Sequence, residues 1–281
     1  MRYALLTAVV MCAFAGNSIL NRLALAGGHI DPVMFGVVRL AAGALVLVAL
    51  SLGLRRGLPL ASRRRWIEAP ALALYVFGFS LAYLRLDAGT GALILFGGVQ
   101  AVMFAAAIPN RPPLRRWIGA AVALTGLAVL SGGLSGATAG VPLMAAASLG
   151  WGIYSLSGRS TGDPLAATAA NFTLAGIAAL VLAPLILAPD AAPTLGGIAL
   201  AVTSGAITSG LGYALWFAVL PRLSPETAGL AQLTVPVIAI LGGALFLAEV
   251  PTALTVIASA VILGGVALGL LPQRRIGSRG S

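Results

Sequence analysis

The chain has 281 residues, of which 59% are hydrophobic and only 9% are charged, and its mean hydropathy is +1.03. Soluble domains carry about 25% charged and about 45–50% apolar residues. This apolar excess excludes a water-soluble fold, so we expect lipid to surround most of the chain. The net charge of +10 comes from 17 basic residues, all arginines, which lie in short clusters between apolar runs. Such clusters orient membrane proteins. Nucleic acid is not an expected partner, since no continuous basic face with stacking aromatics is present.

Residues that commonly carry chemistry are few. Cys12 is the one cysteine and His29 is the one histidine. A single cysteine excludes an internal disulfide and a metal site built on cysteines. We therefore expect no catalytic residues, no cofactor and no metal ion. The first apolar run is long enough to span a bilayer and lacks a convincing small-residue cleavage site, so no cleavable signal is expected.

Long apolar stretches divide the chain into predicted membrane spans. A helix crosses the hydrocarbon core with about 20 apolar residues. Short, turn-like segments connect the stretches, and no soluble domain is left over. The sequence thus predicts an all-α integral membrane protein with ten transmembrane helices, at roughly 4–26, 33–53, 66–86, 89–109, 117–133, 141–159, 164–187, 194–219, 226–248 and 252–272.

The arginines predict the orientation of these spans. With the N-terminus in the cytoplasm, fourteen arginines fall on the cytoplasmic side, including the tail "QRRIGSRG". Arg22 and Arg85 fall near the outer face, and Arg39 falls within a span. Cytoplasmic loops retain an excess of Lys and Arg, so both termini are predicted to be cytoplasmic.

A short phrase occurs twice, as "LRLDAGTGAL" near residue 85 and as "PRLSPETAGL" near residue 222. The two copies lie 137 residues and five predicted spans apart, so the second copy is upside down relative to the first. Further landmarks pair in the same way: Phe14 with Trp151, Asp31-Pro32 with Asp163-Pro164, and Arg39 with Asn171. The chain is therefore predicted to be two inverted five-helix repeats, 1–137 and 138–281. Transporters built in this way usually bind substrate near the midplane, where the repeats meet.

These features resemble a known family. An aromatic residue near a glycine begins spans one and six, a polar residue lies early in span two, and small residues fill "TGALILFGG" and "TAGLAQLTVP". The chain resembles the drug/metabolite transporter superfamily in its ten-helix EamA-type branch, over about residues 3–272. Within that branch it is most similar to bacterial exporters of aromatic and other neutral amino acids. One departure is Val99, which stands where the second repeat has Pro236.

The resemblance implies a multi-pass protein of the bacterial inner membrane with a central cavity between its halves. It further implies that a small molecule, an amino acid or a related metabolite, moves outward by alternating access. No obligate protein partner is evident from the sequence.

Arg39 lies about six residues into predicted span two, about 9 Å along the helix from its start. Charges in hydrocarbon are costly and need a reason. The planar guanidinium suits a substrate carboxylate. Alternatively, Arg39 is structural and either binds backbone carbonyls at a helix end or snorkels toward the interface. The sequence leaves both roles open.

Aromatic residues recur at helical spacing on spans three, six and eight. They predict an apolar wall with polar edges that suits an amino-acid side chain, although helix packing and an interfacial belt are alternatives. Trp66 and Trp117 follow arginine clusters and suit a belt, whereas Trp151 lies near mid-span and is the strongest candidate. The aromatic candidates for the substrate site are Tyr75, Phe79, Tyr83, Trp151, Tyr154, Tyr213 and Trp216.

Four uncharged amides lie in apolar spans and are further candidates for the cavity. Each is equally suited to an interhelical hydrogen bond that holds two helices together. These residues are Asn17, Gln100, Asn171 and Gln232.

None of the seven acidic residues lies near the middle of a predicted span, and His29 falls in an outer loop. Proton antiporters commonly use a buried carboxylate or histidine as the relay. We therefore expect gradient-driven transport without tight proton coupling. The same absence argues against dedicated export of cationic drugs.

Other classes of protein fit the sequence less well. A membrane enzyme needs a nucleophile with a base, or a metal cluster, and no such set can be assembled here. A receptor or scaffold offers no reason for the inverted repeat. Within transport, other small metabolites and lipophilic drugs remain alternative substrates.

Overall fold

A computed structural model describes residues 2–110, 113–132, 139–158, 162–185, 187, 192–223, 228 and 231–270. Helices make up most of this part of the chain, and it contains no β-strand, which confirms the all-α prediction. The described helices are α1 Arg2–Ala26, α2 Pro32–Gly53, α3 Arg65–Ala82, α4 Ala88–Ala107, α5 Leu114–Gly132, α6 Gly140–Gly158, α7 Pro164–Leu182, α8 Leu195–Arg222, α9 Thr234–Leu247 and α10 Ala253–Leu270.

Several of these helices have the length and apolarity needed to cross a bilayer. Five meet both criteria, namely α1, α2, α4, α7 with its short extension to Leu185, and α8. Helices α9 and α10 are apolar but shorter. Large hydrophobic side chains also lie exposed on the outer surface of the assembly, such as Leu45, Leu245 and Phe246. In a protein of this composition, such a surface is suited to lipid.

Most observed bounds lie within a few residues of the predicted ones. In the ninth span, α9 begins at Thr234, and residues 228, 231 and 232 before it are also helical, while the predicted start near residue 226 lies outside the described residues. The second copy of the repeated phrase lies largely outside the described residues, as do Arg159 and the arginine tail at 271–281.

Two Asp-Pro pairs begin helices in the same way. Asp31 precedes α2, and its Oδ1 accepts hydrogen bonds from the backbone N–H groups of Val33 and Met34. Asp163 does the same for the second and third residues of α7. The proline after each aspartate needs no N–H donor at this position. An aspartate cap contributes about 1 kcal/mol to a helix start.

The helices pack in pairs that bring distant parts of the chain together. Helix α3 runs along α6, α1 along α8, α2 along α7, α4 along α9 and α5 along α10. One close contact between α3 and α6 sets the position of Tyr75 relative to Trp151. A Cβ at Gly150 on α6 would lie 2.6 Å from the carbonyl oxygen of Ala71 and 2.7 Å from the backbone nitrogen of Tyr75. Only glycine permits this approach, which brings Tyr75 close to Trp151, the next residue on α6.

Gly150→Ala should therefore push α3 away from α6 and lower stability by about 1–3 kcal/mol, the usual cost of overpacking. The check is the unfolding midpoint of the purified protein in detergent. Gly264→Ala is the matched control, because a Cβ at that position meets nothing within 4 Å. Alanine there improves helix propensity and should leave the midpoint unchanged or higher. Equal midpoints for the two variants would contradict this account of α3–α6 packing.

Candidate functional site

Arg39 lies in the third turn of α2, and its side chain is completely buried, with 0% exposed. Its Nε donates to the Ser209 hydroxyl at 2.9 Å, and its Nη2 donates to the hydroxyls of Tyr75 and Tyr213 at 3.0 and 3.3 Å. The rings of Tyr75 and Phe79 lie 5.2 and 5.3 Å from the guanidinium carbon. Arg39 thus points into the protein and does not snorkel, so that alternative is wrong. Its hydrogen bonds go to hydroxyl groups instead of backbone carbonyls, and two ring faces add cation–π contacts.

The charge of Arg39 has no anionic partner among the described residues. The ion pairs found there involve Arg22, Arg56 and Arg65, not Arg39. In addition, the buried Nη1 atom of Arg39 has no hydrogen-bond partner in this part of the chain. A buried charge without a counterion costs several kcal/mol, of which hydroxyl groups and ring faces offset only a part. This site is therefore suited to an anionic group that approaches Nη1.

Helix α8 brings Ser209 to Arg39 through an irregular segment. Between Ser204 and Leu211 the helix is π-helical, a form that occurs often at functional sites. At Gly205 the backbone of α8 lies so near the backbone of Arg39 that a side chain would not fit. Serine and threonine hydroxyls in this segment then serve both Arg39 and Asn17. The sequence signal was the cluster of hydroxyl residues in "TSGAITSG", which the sequence interpretation did not use.

A group of aromatic rings packs beside Arg39, and Trp151 contacts four of the other rings. The Trp151 ring centroid lies 4.8 Å from Tyr213, 5.0 Å from Tyr75, and 5.7 Å from both Phe14 and Tyr154. These rings are buried, and the indole Nε1 of Trp151 has no hydrogen-bond partner among the described residues. We call this group the aromatic cluster: Phe14, Tyr75, Phe79, Trp151, Tyr154, Tyr213 and Trp216, the last packed against Phe14.

The remaining candidates lie around this cluster in different roles. Asn17 accepts hydrogen bonds from Ser204, Thr208 and Ser209, so it joins α1 to α8. Tyr83 contacts Phe79 at 4.6 Å, and its hydroxyl donates to the carbonyl of Ala88 rather than facing Arg39.

Two of the amide residues predicted to line the cavity have no hydrogen bond to Arg39 in the described structure. Gln100 is half-buried on α4. Gln232 is buried just before α9, and its Oε1 has no hydrogen-bond partner among the described residues.

Asn171 belongs to a buried ionic group that the sequence did not indicate. Arg65 and Glu68, both on the first turn of α3, form an ion pair that is almost completely buried. Arg65 also donates to the Asn171 Oδ1 at 3.0 Å, and the Asn171 amide donates to Glu68 at 3.0 Å. The second oxygen of Glu68 is buried without a hydrogen-bond partner in the described structure. We call Arg65, Glu68 and Asn171 the Glu68 group.

A second ionic group lies at the opposite end of the helix assembly. Arg22 on α1 pairs with Glu249, which lies between α9 and α10, at 2.6 Å, and with Asp87 at 3.3 Å. It also donates to the carbonyl of Tyr83 at 2.9 Å, while Glu249 accepts from the backbone N–H of Ala88 at 2.8 Å. We call Arg22, Asp87 and Glu249 the Arg22 group. It ties α1, α4 and the α9–α10 connection together.

Comparison with known proteins identifies the class. The sequence pattern of the EamA-like transporter family matches residues 138–271. An uncharacterized protein of Pseudomonas aeruginosa is 44% identical over 97% of this chain and 96% of its own length. The chain belongs to the EamA-like transporter family of the drug/metabolite transporter superfamily. Its members are transporters, so the protein is a membrane transporter and not an enzyme.

More distant relatives are similar over most of the chain. An uncharacterized transporter of Archaeoglobus fulgidus is 26% identical over 74% of this chain and 79% of its own length. A probable terminal-alkyne amino-acid exporter of Streptantibioticus cattleyicolor is 27% identical over 87% of both chains. A protein of known crystal structure shares the fold, with a TM-score of 0.65 and 22% identity over 95% of this chain and 99% of its own.

Arg39→Met tests whether the buried charge is there for stability. Because an isolated buried charge is costly, an apolar side chain of similar length should leave the free energy of unfolding within about 1 kcal/mol of the parent or raise it. Unfolding midpoints of the purified variants check this. A loss of about 3 kcal/mol or more would mean that Arg39 stabilises the fold and would contradict a substrate role. Leu40→Ala, at a fully buried neighbour on the same helix, provides a reference for a purely structural loss.

Proposed function

We propose that this transporter exports amino acids, aromatic and other neutral ones, across the bacterial inner membrane. The observation that carries the proposal is Arg39, a fully buried cation with one free donor and no carboxylate partner in the described structure. An α-carboxylate supplies the missing charge. A relative named as a probable amino-acid exporter, 27% identical to this chain, supports the same substrate class.

The substrate carboxylate would bind the guanidinium at Nη1, while the hydroxyls of Ser209, Tyr75 and Tyr213 hold the other nitrogens in place. A charge-assisted hydrogen bond of this kind is about twice as strong as a neutral one. In a buried site it also relieves the cost of the isolated cation. The side chain of the substrate would then lie among the rings around Trp151, which accept aromatic and aliphatic groups by apolar contact.

We further propose that ten transmembrane helices form two inverted five-helix repeats, with both termini in the cytoplasm. The packing of the helices supports this arrangement. If the repeat relates α1–α5 to α6–α10 in order, it exchanges α3 with α8 and α6 with α1. The contact of α3 with α6 then corresponds to the contact of α8 with α1, and both are present. The remaining contacts, α2 with α7, α4 with α9 and α5 with α10, each join a helix to its own repeat partner. The matching caps of Asp31 and Asp163 support the same correspondence.

In this orientation the Arg22 group closes the outer side and the Glu68 group closes the cytoplasmic side. Both are formed here, and the aromatic rings between them pack against one another. Alternating access then consists of opening one ionic group while the other remains closed. We propose no tight proton coupling, since the described surroundings of Arg39 provide hydroxyls and rings but no carboxylate or histidine.

The proposal is tested by counterflow of radiolabelled L-phenylalanine and other neutral amino acids into proteoliposomes that contain only this protein. Trp151→Ala should raise the half-saturating concentration about tenfold, because the substrate loses its central ring contact. Trp66→Ala is the control, since that tryptophan is 83% exposed and lies outside the cluster. An imposed pH gradient should leave the initial rate unchanged. Absence of flux for every amino acid tested would overturn the proposal and favour other metabolites or drugs as substrates. Strong acceleration by the pH gradient would overturn the proposal that transport is not tightly coupled to protons.

Glu249→Gln should open the outer side, because it removes the ion pair with Arg22 and leaves a neutral amide in its place. We expect faster reaction of a cysteine at Thr90, which is buried beside Glu249, with a membrane-impermeant maleimide added outside. The reaction is followed in a Cys12→Ala background. Thr90→Cys with Glu249 intact gives the reference rate. Equal rates with and without Glu249→Gln would show that the ion pair does not hold this side closed.

A further inference from the structure

A groove of about 670 Å³ lies beside the Glu68 group, at the end of the assembly assigned to the cytoplasm. It is bounded by the segment between α2 and α3 and by the start of α7. Three arginines line it, namely Arg56, Arg64 and Arg65, against one carboxylate, Asp163. Arg56 and Asp163 are 3.3 Å apart and partly exposed. The groove is thus open to solvent and carries an excess of positive charge.

Arg65 links this groove to the interior. It forms part of the groove wall, and its guanidinium binds Glu68 and Asn171. Glu68 and Asn171 in turn line a smaller cavity together with Tyr154, Thr168 and others. In the part of the chain that the structure describes, the Glu68 group therefore lies between the groove and that cavity, beside the start of α7, which borders both.

The smaller cavity leads on to the aromatic cluster. Tyr154 lines it, and its ring lies 5.7 Å from Trp151, which contacts Tyr75 beside Arg39. One buried polar atom at this cavity, the Glu68 Oε1, has no hydrogen-bond partner among the described residues. The Tyr154 hydroxyl lies beside Thr168 and Asn171 in the same cavity. Buried polar groups are normally satisfied. The position of this carboxylate oxygen on the far side of Arg65 is suited to the ammonium group of a ligand that passes inward.

We propose that the groove is a first binding site for the carboxylate of the cytoplasmic substrate, and that the Glu68 group is the gate beneath it. This inference rests on the proposed export of amino acids. The carboxylate binds Arg56 and Arg64 in the groove and then competes with Glu68 for Arg65. Asn171 of α7 is held by hydrogen bonds to both Arg65 and Glu68 of α3. When the substrate carboxylate draws Arg65 away, these bonds are released and α3 separates from α7, which opens the path to Tyr154.

Transport measured from each side tests the binding site. Arg56→Gln with Arg64→Gln should raise the half-saturating concentration of radiolabelled L-phenylalanine about fivefold in inside-out vesicles, where the groove faces the added substrate. In right-side-out vesicles the change should stay within about twofold. Arg55→Gln with Arg63→Gln is the matched control, because it removes the same charge from the same segment but from residues that do not line the groove. It should change neither value.

An equal effect of the two double variants would overturn the inference, since it would indicate general attraction by the arginine-rich surface, including its attraction for anionic lipid. An equal change in both vesicle orientations would overturn it as well. Either result would leave amino-acid export standing. Absence of L-phenylalanine flux in the unmodified protein would instead remove the basis of the binding site.

The gate is tested without transport. In a Cys12→Ala background, a cysteine at Thr168 lies in the small cavity and should react slowly with an impermeant maleimide added from the cytoplasmic side. Glu68→Gln should speed this reaction about fivefold or more, because a neutral amide replaces the carboxylate that holds Arg65 and accepts from Asn171 of α7. Arg63→Gln, with the same cysteine, should not. Equal rates in all three proteins would overturn the gate, and gel filtration verifies that each variant is folded.

Discussion

The buried charge of Arg39 is the constraint on which the centre of this protein depends. A guanidinium that is fully buried and faces no carboxylate in the described structure must be held by weaker partners, and three hydroxyls and two ring faces hold it here. Those partners come from α3 and α8, and glycines on α6 and α8 permit the close backbone contacts that bring them near. Much of the unusual local structure, including the π-helical segment, surrounds this one cation.

The same cation connects the fold to transport. A carrier must bind its substrate well enough to select it and weakly enough to release it on the other side. A site whose charge is only partly compensated gains most from an anionic group when it is closed to water, where electrostatic interactions are strongest. In the proposed cycle, opening of either side admits water, which screens the guanidinium and releases the substrate. We propose that the two ionic groups at opposite ends, built on Arg22 and on Glu68, control that exposure.

The fold was more predictable from the sequence than the site. Apolar runs of about 20 residues predicted the helices. Hydrocarbon offers no hydrogen-bond partners, so the backbone N–H and C=O groups of such a run must bond to each other within a helix. The spacing of Tyr75, Phe79 and Trp151 also indicated an aromatic wall. In contrast, one hydrogen-bond partner of Arg39 is Ser209, 170 residues away, and no local pattern relates the two. No acidic residue was predicted near the middle of a span, and Glu68 lies on the first turn of α3. Its burial beside Asn171 of α7 is a tertiary contact that the prediction of spans does not contain.

The central claim is that Arg39 receives the carboxylate of an amino acid, and calorimetric binding to the purified protein tests it most directly. L-Phenylalanine and its carboxamide have the same ring and ammonium group and differ in the carboxylate alone. The account predicts that the parent protein binds the acid about tenfold or more tightly than the amide, and that Arg39→Met abolishes this preference. Equal affinity of the parent for both compounds, or a preference that survives Arg39→Met, would contradict it.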